Sequence, residues 1–445
     1  MTLTAGTAAA IITPPIGTPM EGYSARADVS QGVHDDLYAR ALVMDDGNTV
    51  IALVSCDLVG VDRRLVAEAR DRAARATEIP AENILIAATH THAGPAGLRR
   101  ELDAELLDVT ARHIAGAISA AYNARRPAAL KIGTGSVDSV SQNRRHPDWP
   151  IDSSLHLLLL DDPDPLQPPI AALINFSCHA TVLYHTNLLI SADYAGYAVR
   201  TVEQLFPGLG GVFLNGACGN VNPAWIKQEF AEAERVGTIV GAAAARLIGE
   251  LRPLGPGQRG HNIRWSEHIE KPVTAGELIE DVRLRVASRR VELPAKSFLA
   301  DDEYEATLGE LRGRVAALGD SNVDERRSTM TQVTRLSTER NVAKRMSALG
   351  RSALHPELMA IAFAPDVALL GLPGEFFVET IAEIREQAGL RYLPVACYAN
   401  HYIGYVVPAS AYDEGGYEPG VTLLAPEAEA IAKSEALALL REVAG

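Results

Sequence analysis

The chain has 445 residues, of which 47% are hydrophobic, and a formal net charge of −15 at pH 7. This length and composition allow one large domain or two ordinary ones with a sizeable core. The acidic balance argues against nucleic-acid or anionic-membrane partners, which require a basic patch, and no apolar run approaches the length of a membrane span.

Short buried strands alternate with amphipathic helices through the first 250 residues. The patterns predict strands at 49–57, 84–88, 155–160, 169–176 and 211–216, and helices over 63–77, 102–123, 193–205 and up to residue 251. This alternation predicts an α/β fold with mixed sheets flanked by helices.

The stretch 253–353 has a different pattern. It opens with alternating, strand-like residues at 262–270 and continues with charge-rich helical patterns over 302–318 and 324–349. Apolar core-like sequence resumes at 358. We therefore predict one catalytic domain from 1–252 and 354–445, with 253–353 as a lid-like strand-plus-helix excursion inserted before the last core segment.

A pair of histidines gives the sharpest local signal. His90 and His92 follow the apolar run 84–88 and precede the turn Gly94-Pro95. In an extended segment, residues two apart point to the same side, so both imidazoles can address one site. The segment predicts a functional site rather than two unrelated histidines.

Three more metal-binding side chains stand at the ends of strand-like runs: His179, Glu375 and Tyr405. Such ends can converge on one pocket at the edge of a sheet. Two imidazoles and a carboxylate, with a further position open, are the ligand set of a catalytic zinc. The alternatives are a core histidine for His179 and a helix N-terminal carboxylate for Glu375. The combination favours a metallohydrolase.

Other motifs do not support a competing chemistry. The sequence at 255–260 matches GxGxxG, but it follows a predicted helix and precedes a predicted strand, the reverse of the order that phosphate binding needs. The sequence contains no Gly-x-Ser-x-Gly elbow and no P-loop, so an esterase triad and an NTPase have no local support.

Taken together, these motifs resemble the N-terminal catalytic domain of the neutral (alkaline, non-lysosomal) ceramidase family, over nearly the whole chain. The matching segments occur in the family's order: 13–15, 20–23, 34–42, 89–95, 143–144, 179, 191–197, 372–375 and 405–418. The resemblance implies that one zinc per chain is bound by His90, His179, Glu375 and Tyr405. It also implies that His92, Arg144 and Tyr417 face the substrate amide.

The position of the zinc-binding tyrosine follows from the same resemblance. The twelve-residue step from Tyr405 to Tyr417 agrees with the family's spacing, and for this reason Tyr405 is preferred over Tyr402 and Tyr412.

The chain departs from the family at one site. The family's Gly-Asp-Val-Ser-Pro, whose serine is its proposed nucleophile, is here Gly-Asn-Val-Asn-Pro, with Asn222 in the place of the serine. An amide cannot replace a hydroxyl as nucleophile. The sequence also ends soon after Tyr417 and shows neither the family's C-terminal sandwich domain nor a secretion signal. We therefore expect a substrate other than ceramide.

The four cysteines and the N-terminus indicate the compartment. Cys56, Cys178, Cys218 and Cys397 are scattered with no CxxC pair, which favours reduced, mostly buried thiols. The first residues lack the basic region of a signal peptide. These features predict a cytoplasmic protein that takes a small-molecule amide or ester substrate and no nucleic acid, and they leave a homo-oligomer open.

The resulting hypothesis is a zinc-dependent amidohydrolase that cleaves a non-peptide C–N bond. In it, metal-activated water attacks directly, with His92 as the proton shuttle. Arg144 and Tyr417 would steady the oxyanion, and Asn222 would bind near the attacking water. Asp57 and Asp193 would either orient ligand imidazoles or cap strand ends.

Three alternatives to this hypothesis remain. The first is a lactone- or lactam-opening or cyclising zinc enzyme of a biosynthetic pathway. The second is an inactive zinc-binding homologue, and the third is a dinuclear enzyme in which His92 is also a ligand.

Overall fold

The structure is a computed structural model that describes residues 3–99, 101–252, 276–318, 322–350 and 352–445. Its strands, in chain order, are β1 (Thr4–Ile11), β2 (Gly32–Val33), β3 (Tyr38–Asp45), β4 (Val50–Cys56), β5 (Ile84–Ala88), β6 (Arg126–Pro127), β7 (Ala129–Ser136), β8 (Ser141–Asn143), β9 (Ser154–Asp161), β10 (Ala171–Phe176), β11 (Leu189–Ile190), β12 (Gly210–Asn215), β13 (Val221–Pro223), β14 (Gly276–Ile279), β15 (Arg285–Arg290), β16 (Leu293–Pro294), β17 (Ala353–Leu354), β18 (Glu357–Ala364), β19 (Val367–Gly371), β20 (Glu375–Phe376), β21 (Val395–Ala396) and β22 (Tyr405–Val406). The helices are α1 (Arg63–Ala76), α2 (Ala104–Asn123), α3 (Asp193–Leu205), α4 (Phe230–Leu251), α5 (Asp301–Ala317), α6 (Val323–Leu349), α7 (Val378–Ala388), α8 (Ser410–Glu414), α9 (Tyr417–Val421) and α10 (Ala428–Ala444), with a 3-10 turn at Ala81–Asn83.

Three mixed sheets form the core. The first has the order β5-β4-β3-β1-β6, the second β12-β10-β9-β7-β14 and the third β15-β18-β19-β21. Each contains one parallel pair, β4 with β5, β10 with β12, and β19 with β21, among antiparallel neighbours. Helix α2 packs on the first sheet, and α1 packs on α2. Helices α3 and α4 pack on the second sheet. Helix α10 packs on the third sheet, and α7 packs on α10. The predicted α/β fold with mixed sheets and flanking helices is confirmed.

The strands are apolar on both faces because both faces are covered. In β3, Leu42 and Met44 belong to one buried cluster, while Ala41 and Val43 belong to another. The cluster containing Leu42 draws side chains from all three sheets, and the other also contains the buried faces of the helices. Successive residues of a strand point to opposite faces, so this double burial produces the near-continuous apolar runs in the sequence.

The described residues of the segment 253–353 are joined closely to the core. Strand β14 pairs with β7 in the second sheet, and β15 pairs with β18 in the third. Helices α5 and α6 pack on each other, and α6 also contacts α9. The strand-like pattern at 262–270 lies outside the described residues, and the domain boundaries stay a prediction. Within the described ranges, every helix is too short or too polar to span a bilayer.

Candidate metal centre

Strand ends from two of the sheets bring the candidate ligands together. His90 comes two residues after β5, and His179 three residues after β10. Glu375 begins β20, which runs parallel to β22, and in that pairing Glu375 lies opposite Tyr405. Residues far apart in the sequence therefore meet because their strands end in the same region of the molecule.

The donor atoms of this cluster lie close together around a shared point. Oε2 of Glu375 is 3.1 Å from His179 Nε2 and 3.5 Å from His90 Nε2. His92 Nε2 is 3.0 Å from His90 Nε2. The ligand nitrogens of the three histidines all lie within 4.8 Å of one another. His90, His179 and Glu375 are buried, and His92 is partly buried. These residues could hold a metal ion.

Backbone carbonyls fix the orientation of two imidazoles. His90 Nδ1 donates to the carbonyl oxygen of Val59 at 2.6 Å, and His179 Nδ1 donates to those of Cys218 and Val221. Donation from Nδ1 leaves the Nε2 lone pair directed at the shared point, as metal ligation requires.

Of the two roles left open for Asp57 and Asp193, orienting the ligand imidazoles is wrong and bonding the backbone at element ends is what the structure shows. Asp57 accepts a hydrogen bond from the Tyr38 amide, and Asp193 accepts from the amides of Leu183 and Tyr194. Both carboxylates therefore satisfy backbone donors near element ends. A sequence pattern cannot distinguish a carboxylate that caps backbone from one that supports an imidazole.

The surroundings of His92, His179 and Glu375 favour the protonation states that a metal needs. Burial, assisted by Arg144, lowers the pKa of His179 to about 4. Burial and the neighbouring His90 lower the pKa of His92 well below its ordinary value. Burial alone would raise the pKa of Glu375, but His90 and His179 outweigh it and hold that pKa well below its ordinary value. Neutral imidazoles at His92 and His179 beside the ionised carboxylate of Glu375 are ready for a cation.

Two tyrosines near the centre form hydrogen bonds with different residues. The Tyr405 hydroxyl accepts a hydrogen bond from Arg144 Nη2 at 3.0 Å. The Tyr402 hydroxyl donates to Oε1 of Glu375. Tyr412 is engaged elsewhere, because its hydroxyl donates to the Leu424 carbonyl. Tyr405 as a ligand stays a prediction, while the contact of Tyr402 with Glu375 is a feature that the sequence reasoning missed.

The predicted catalytic residues are divided between two neighbouring cavities. A cavity of about 610 Å³ is lined by His92 and by three of the candidate ligands, His90, Glu375 and Tyr405. A second cavity of about 590 Å³ is lined by Arg144 and Asn222. Tyr417 lines both.

Arg144 connects the second cavity to the candidate ligands. Its Nη2 bonds to Tyr405, its Nε bonds to Glu418 Oε1 at 2.8 Å, and its Nη1 lies 3.5 Å from Asn222 Oδ1. Glu418 is buried and also bonds Arg145. Glu418 is the last residue of the matching segment 405–418, and its sequence position indicated no role.

Comparison with known proteins shows similarity to one family. A model described as neutral/alkaline non-lysosomal ceramidase, N-terminal, matches residues 4–211. The neutral ceramidase of Pseudomonas aeruginosa is 25% identical, over 92% of this chain and 67% of that protein. That of Mycobacterium tuberculosis is 24% identical, over 91% of this chain and 71% of that protein. These matches support membership of the neutral/alkaline non-lysosomal ceramidase family. The resemblance noted in the sequence is thereby confirmed.

Further neutral ceramidases match over a shorter span. The neutral ceramidase of Drosophila pseudoobscura is 28% identical, and the match covers 47% of this chain and 34% of the fly protein. A crystal structure of the neutral ceramidase from Pseudomonas aeruginosa superimposes with a TM-score of 0.75 at 21% identity. That superposition covers 100% of this chain and 75% of the other, and it shows that the fold is shared.

Proposed function

We propose that this protein is a zinc-dependent hydrolase of an amide or related acyl bond and that its substrate is not ceramide. The observation that carries the proposal is the approach of Glu375 Oε2 to the Nε2 atoms of His90 and His179, within 3.5 Å, at the wall of a cavity. Two imidazoles and a carboxylate are a donor set that suits zinc.

The residues that would hold zinc are His90, His179, Glu375 and Tyr405. When bound, zinc supplies Lewis-acid polarisation of an acyl carbonyl and increases the acidity of water. In the hydrolysis, the oxygen of water bonds to the carbonyl carbon, the C–N or C–O bond breaks, and the amine or alcohol leaves with a proton.

His92 is positioned to move that proton. Its Nε2 is 3.0 Å from His90 Nε2, and its Nδ1 is a buried atom without a hydrogen-bond partner among the residues that the structure describes. The lowered pKa of His92 keeps the ring neutral, so it can accept a proton from water and pass it to the leaving group.

Arg144 and Tyr417 would stabilise the negative charge that develops on the carbonyl oxygen. Arg144 is held by Glu418 and directs Nη2 at the Tyr405 hydroxyl. The Tyr417 ring is 63% exposed and lies 5.9 Å from the Tyr405 ring, at the border of both cavities. Preorganised donors at this border would favour the charged transition state.

Asn222 supports the part of the proposal that concerns the substrate. Its side chain lines the cavity that also contains Arg144, and its Oδ1 lies 3.5 Å from Arg144 Nη1. An amide at this position can bind the attacking water or the substrate, but it cannot form an acyl-enzyme. The reaction would therefore depend on direct attack by water.

The first test is the metal content per chain, measured by elemental mass spectrometry on protein purified without chelator. We expect about one zinc per chain, lost in His179→Ala and retained in His355→Ala, which removes a half-exposed imidazole outside the cluster. Two metals per chain would support the dinuclear alternative with His92 as a ligand. No metal after zinc is supplied would overturn the proposal.

The second test is activity on N-acyl amines and on small cyclic esters and amides, with and without zinc. Cleavage of linear amides that disappears on chelation supports the amidohydrolase. Preference for the cyclic compounds would favour the lactone or lactam enzyme. If the zinc-loaded protein cleaves none of these compounds, the result would support the alternative of an inactive zinc-binding homologue.

A further inference from the structure

One buried asparagine lies where the ends of several strands meet. Asn215 is the last residue of β12 and is fully buried. Its backbone pairs with Phe176, the last residue of β10. Its carbonyl oxygen accepts a hydrogen bond at 2.9 Å from the amide of Cys397, the residue that follows β21. The backbone of Asn215 is therefore held by the second and the third sheets.

The side-chain amide of Asn215 reaches the residues just before two candidate ligands. Nδ2 donates to the carbonyl oxygen of Thr89 at 3.0 Å and to that of Cys178 at 2.9 Å, and Oδ1 accepts from the Cys178 amide at 3.3 Å. Thr89 directly precedes His90, and Cys178 directly precedes His179. These partners also fix the orientation of the amide, because a flipped amide would place Oδ1 against two carbonyl oxygens.

The peptide unit before His90 is held at both of its polar atoms. Asn215 binds its oxygen, and the His90 N–H donates to the Leu58 carbonyl at 2.9 Å. His90 has φ of 68°, in the left-handed region that residues other than glycine rarely adopt, so the surrounding contacts must hold it there. Because a peptide unit is planar, fixing its oxygen and its N–H sets the direction in which the chain continues into His90.

The peptide unit before His179 is held in the same way. Its oxygen accepts from Asn215 and from the Tyr194 hydroxyl, and the His179 N–H donates to the Val221 carbonyl at 3.2 Å. A single side chain thus contacts the peptide units before both candidate ligands, which follow strands of two different sheets.

We infer that Asn215 is a positioning residue that sets the separation of the His90 and His179 imidazoles at the candidate metal centre. The inference rests on the proposed zinc hydrolase and names a residue that supports its site. A primary amide has two N–H donors on one nitrogen and an acceptor beside them, so one side chain can bond to both segments. Metal affinity depends on groups that hold the ligands in the geometry that the metal requires.

Asn215→Asp tests this role at nearly constant side-chain volume, because a carboxylate cannot donate the two hydrogen bonds. Asn175→Asp is the matched control. Asn175 is also buried, and its Nδ2 donates to the carbonyls of Leu214 and Val395, both at 2.8 Å, while its Oδ1 accepts from the Val395 amide. Neither of these partners directly precedes a candidate ligand. A purely structural effect should therefore be similar in the two variants.

Metal affinity and a cobalt spectrum distinguish positioning from general destabilisation. In chelator-buffered zinc, we expect the dissociation constant to be ~10-fold or more higher for Asn215→Asp than for Asn175→Asp. With Co²⁺ in place of zinc, the visible absorption bands report the ligand geometry. They should change in Asn215→Asp and keep their wild-type positions in Asn175→Asp. Urea denaturation of the metal-free proteins should give similar losses of stability in both variants.

The outcomes separate this inference from the proposed function. Equal zinc affinities in the two variants, or a wild-type cobalt spectrum in Asn215→Asp, would overturn the positioning role and leave the hydrolase intact. If Asn215→Asp does not fold, Asn215→Ser and Asn175→Ser, with smaller neutral side chains, are compared by the same criteria.

If the wild type binds neither zinc nor cobalt, the hydrolase proposal fails. The imidazole NMR signals of the metal-free protein then decide the positioning role. We expect the signals of His90 and His179 to shift in Asn215→Asp, and wild-type positions for both in that variant would refute the role.

Discussion

The Tyr402 hydroxyl donates a hydrogen bond to Oε1 of Glu375, while the other oxygen of that carboxylate faces the imidazoles of His90 and His179. The carboxylate is thus held on one side by a phenol and presents its second oxygen to the candidate metal position. Loss of a group that orients a metal ligand in this way typically lowers metal affinity or activity by roughly 10- to 100-fold.

Tyr402→Phe should therefore weaken zinc binding. The ring that stacks with Arg99 remains, and only the hydroxyl is lost. We expect the dissociation constant for zinc to rise by ~10-fold or more, measured by competition with a chromophoric chelator. Tyr412→Phe, which removes a hydroxyl bonded to the Leu424 carbonyl, is the matched control. Equal affinities in the two variants would show that Tyr402 does not orient Glu375.

Gly22→Ala should displace His92. Gly22 has φ of 114°, and a Cβ there would lie 2.7 Å from Cβ and Cγ of His92. We expect kcat for amide cleavage to fall at least ~10-fold, since a small misplacement of a proton-transfer group is costly. Gly17→Ala is the control: φ is 92° there, but a Cβ meets no described atom within 4 Å. If Gly22→Ala also loses its zinc, His92 is a ligand and not only a proton carrier.

Asn222→Ser tests whether water or a side chain is the nucleophile. This change restores the hydroxyl of the family motif beside Arg144. If water attacks directly, kcat should change by less than about threefold and no acyl-enzyme should accumulate. Rapid-quench kinetics and intact-protein mass spectrometry give the readout. A burst of amine release, with one acyl group per chain, would indicate that a serine nucleophile can operate in this site.

His156 should make the protein less stable in acid. Burial, with a contribution from Arg385, lowers its pKa in the folded protein to about 4, against 6.5 for an unperturbed imidazole. Between those values the unfolded chain binds the proton and the folded protein does not. The free energy of unfolding therefore falls as the pH drops below about 6.5, by up to ~1.4 kcal/mol per pH unit.

Urea denaturation at pH 7.0, 6.0 and 5.0 measures this effect against His156→Gln, which removes the titrating group from β9. The wild type should lose more stability than the variant over this range. Parallel losses in the two proteins would mean that His156 is not the group responsible.

The local structure and the candidate ligands follow from the sequence by itself. Helix α3 runs from Asp193 to Leu205 as the periodicity predicts, and α1 and β4 agree within a residue or two at each end. His90, His92, His179 and Glu375 could be selected because each follows an apolar run, and a strand end delivers its next residues to the edge of a sheet. These signals are local, because the spacing of apolar residues along a helix or strand shows which of its faces is buried.

Only the tertiary structure decided which polar groups meet at the site. Glu21, Arg99 and Tyr402 reach the cavity from three separate segments, and no spacing links them. Asp57 and Asp193 bond backbone amides, although their sequence positions were equally consistent with orienting the imidazoles. The physical reason is that the spacing of apolar residues shows which face of an element is buried. It does not show which residues pack against that face. Hydrogen-bond partners depend on long-range packing, which brings together atoms hundreds of residues apart.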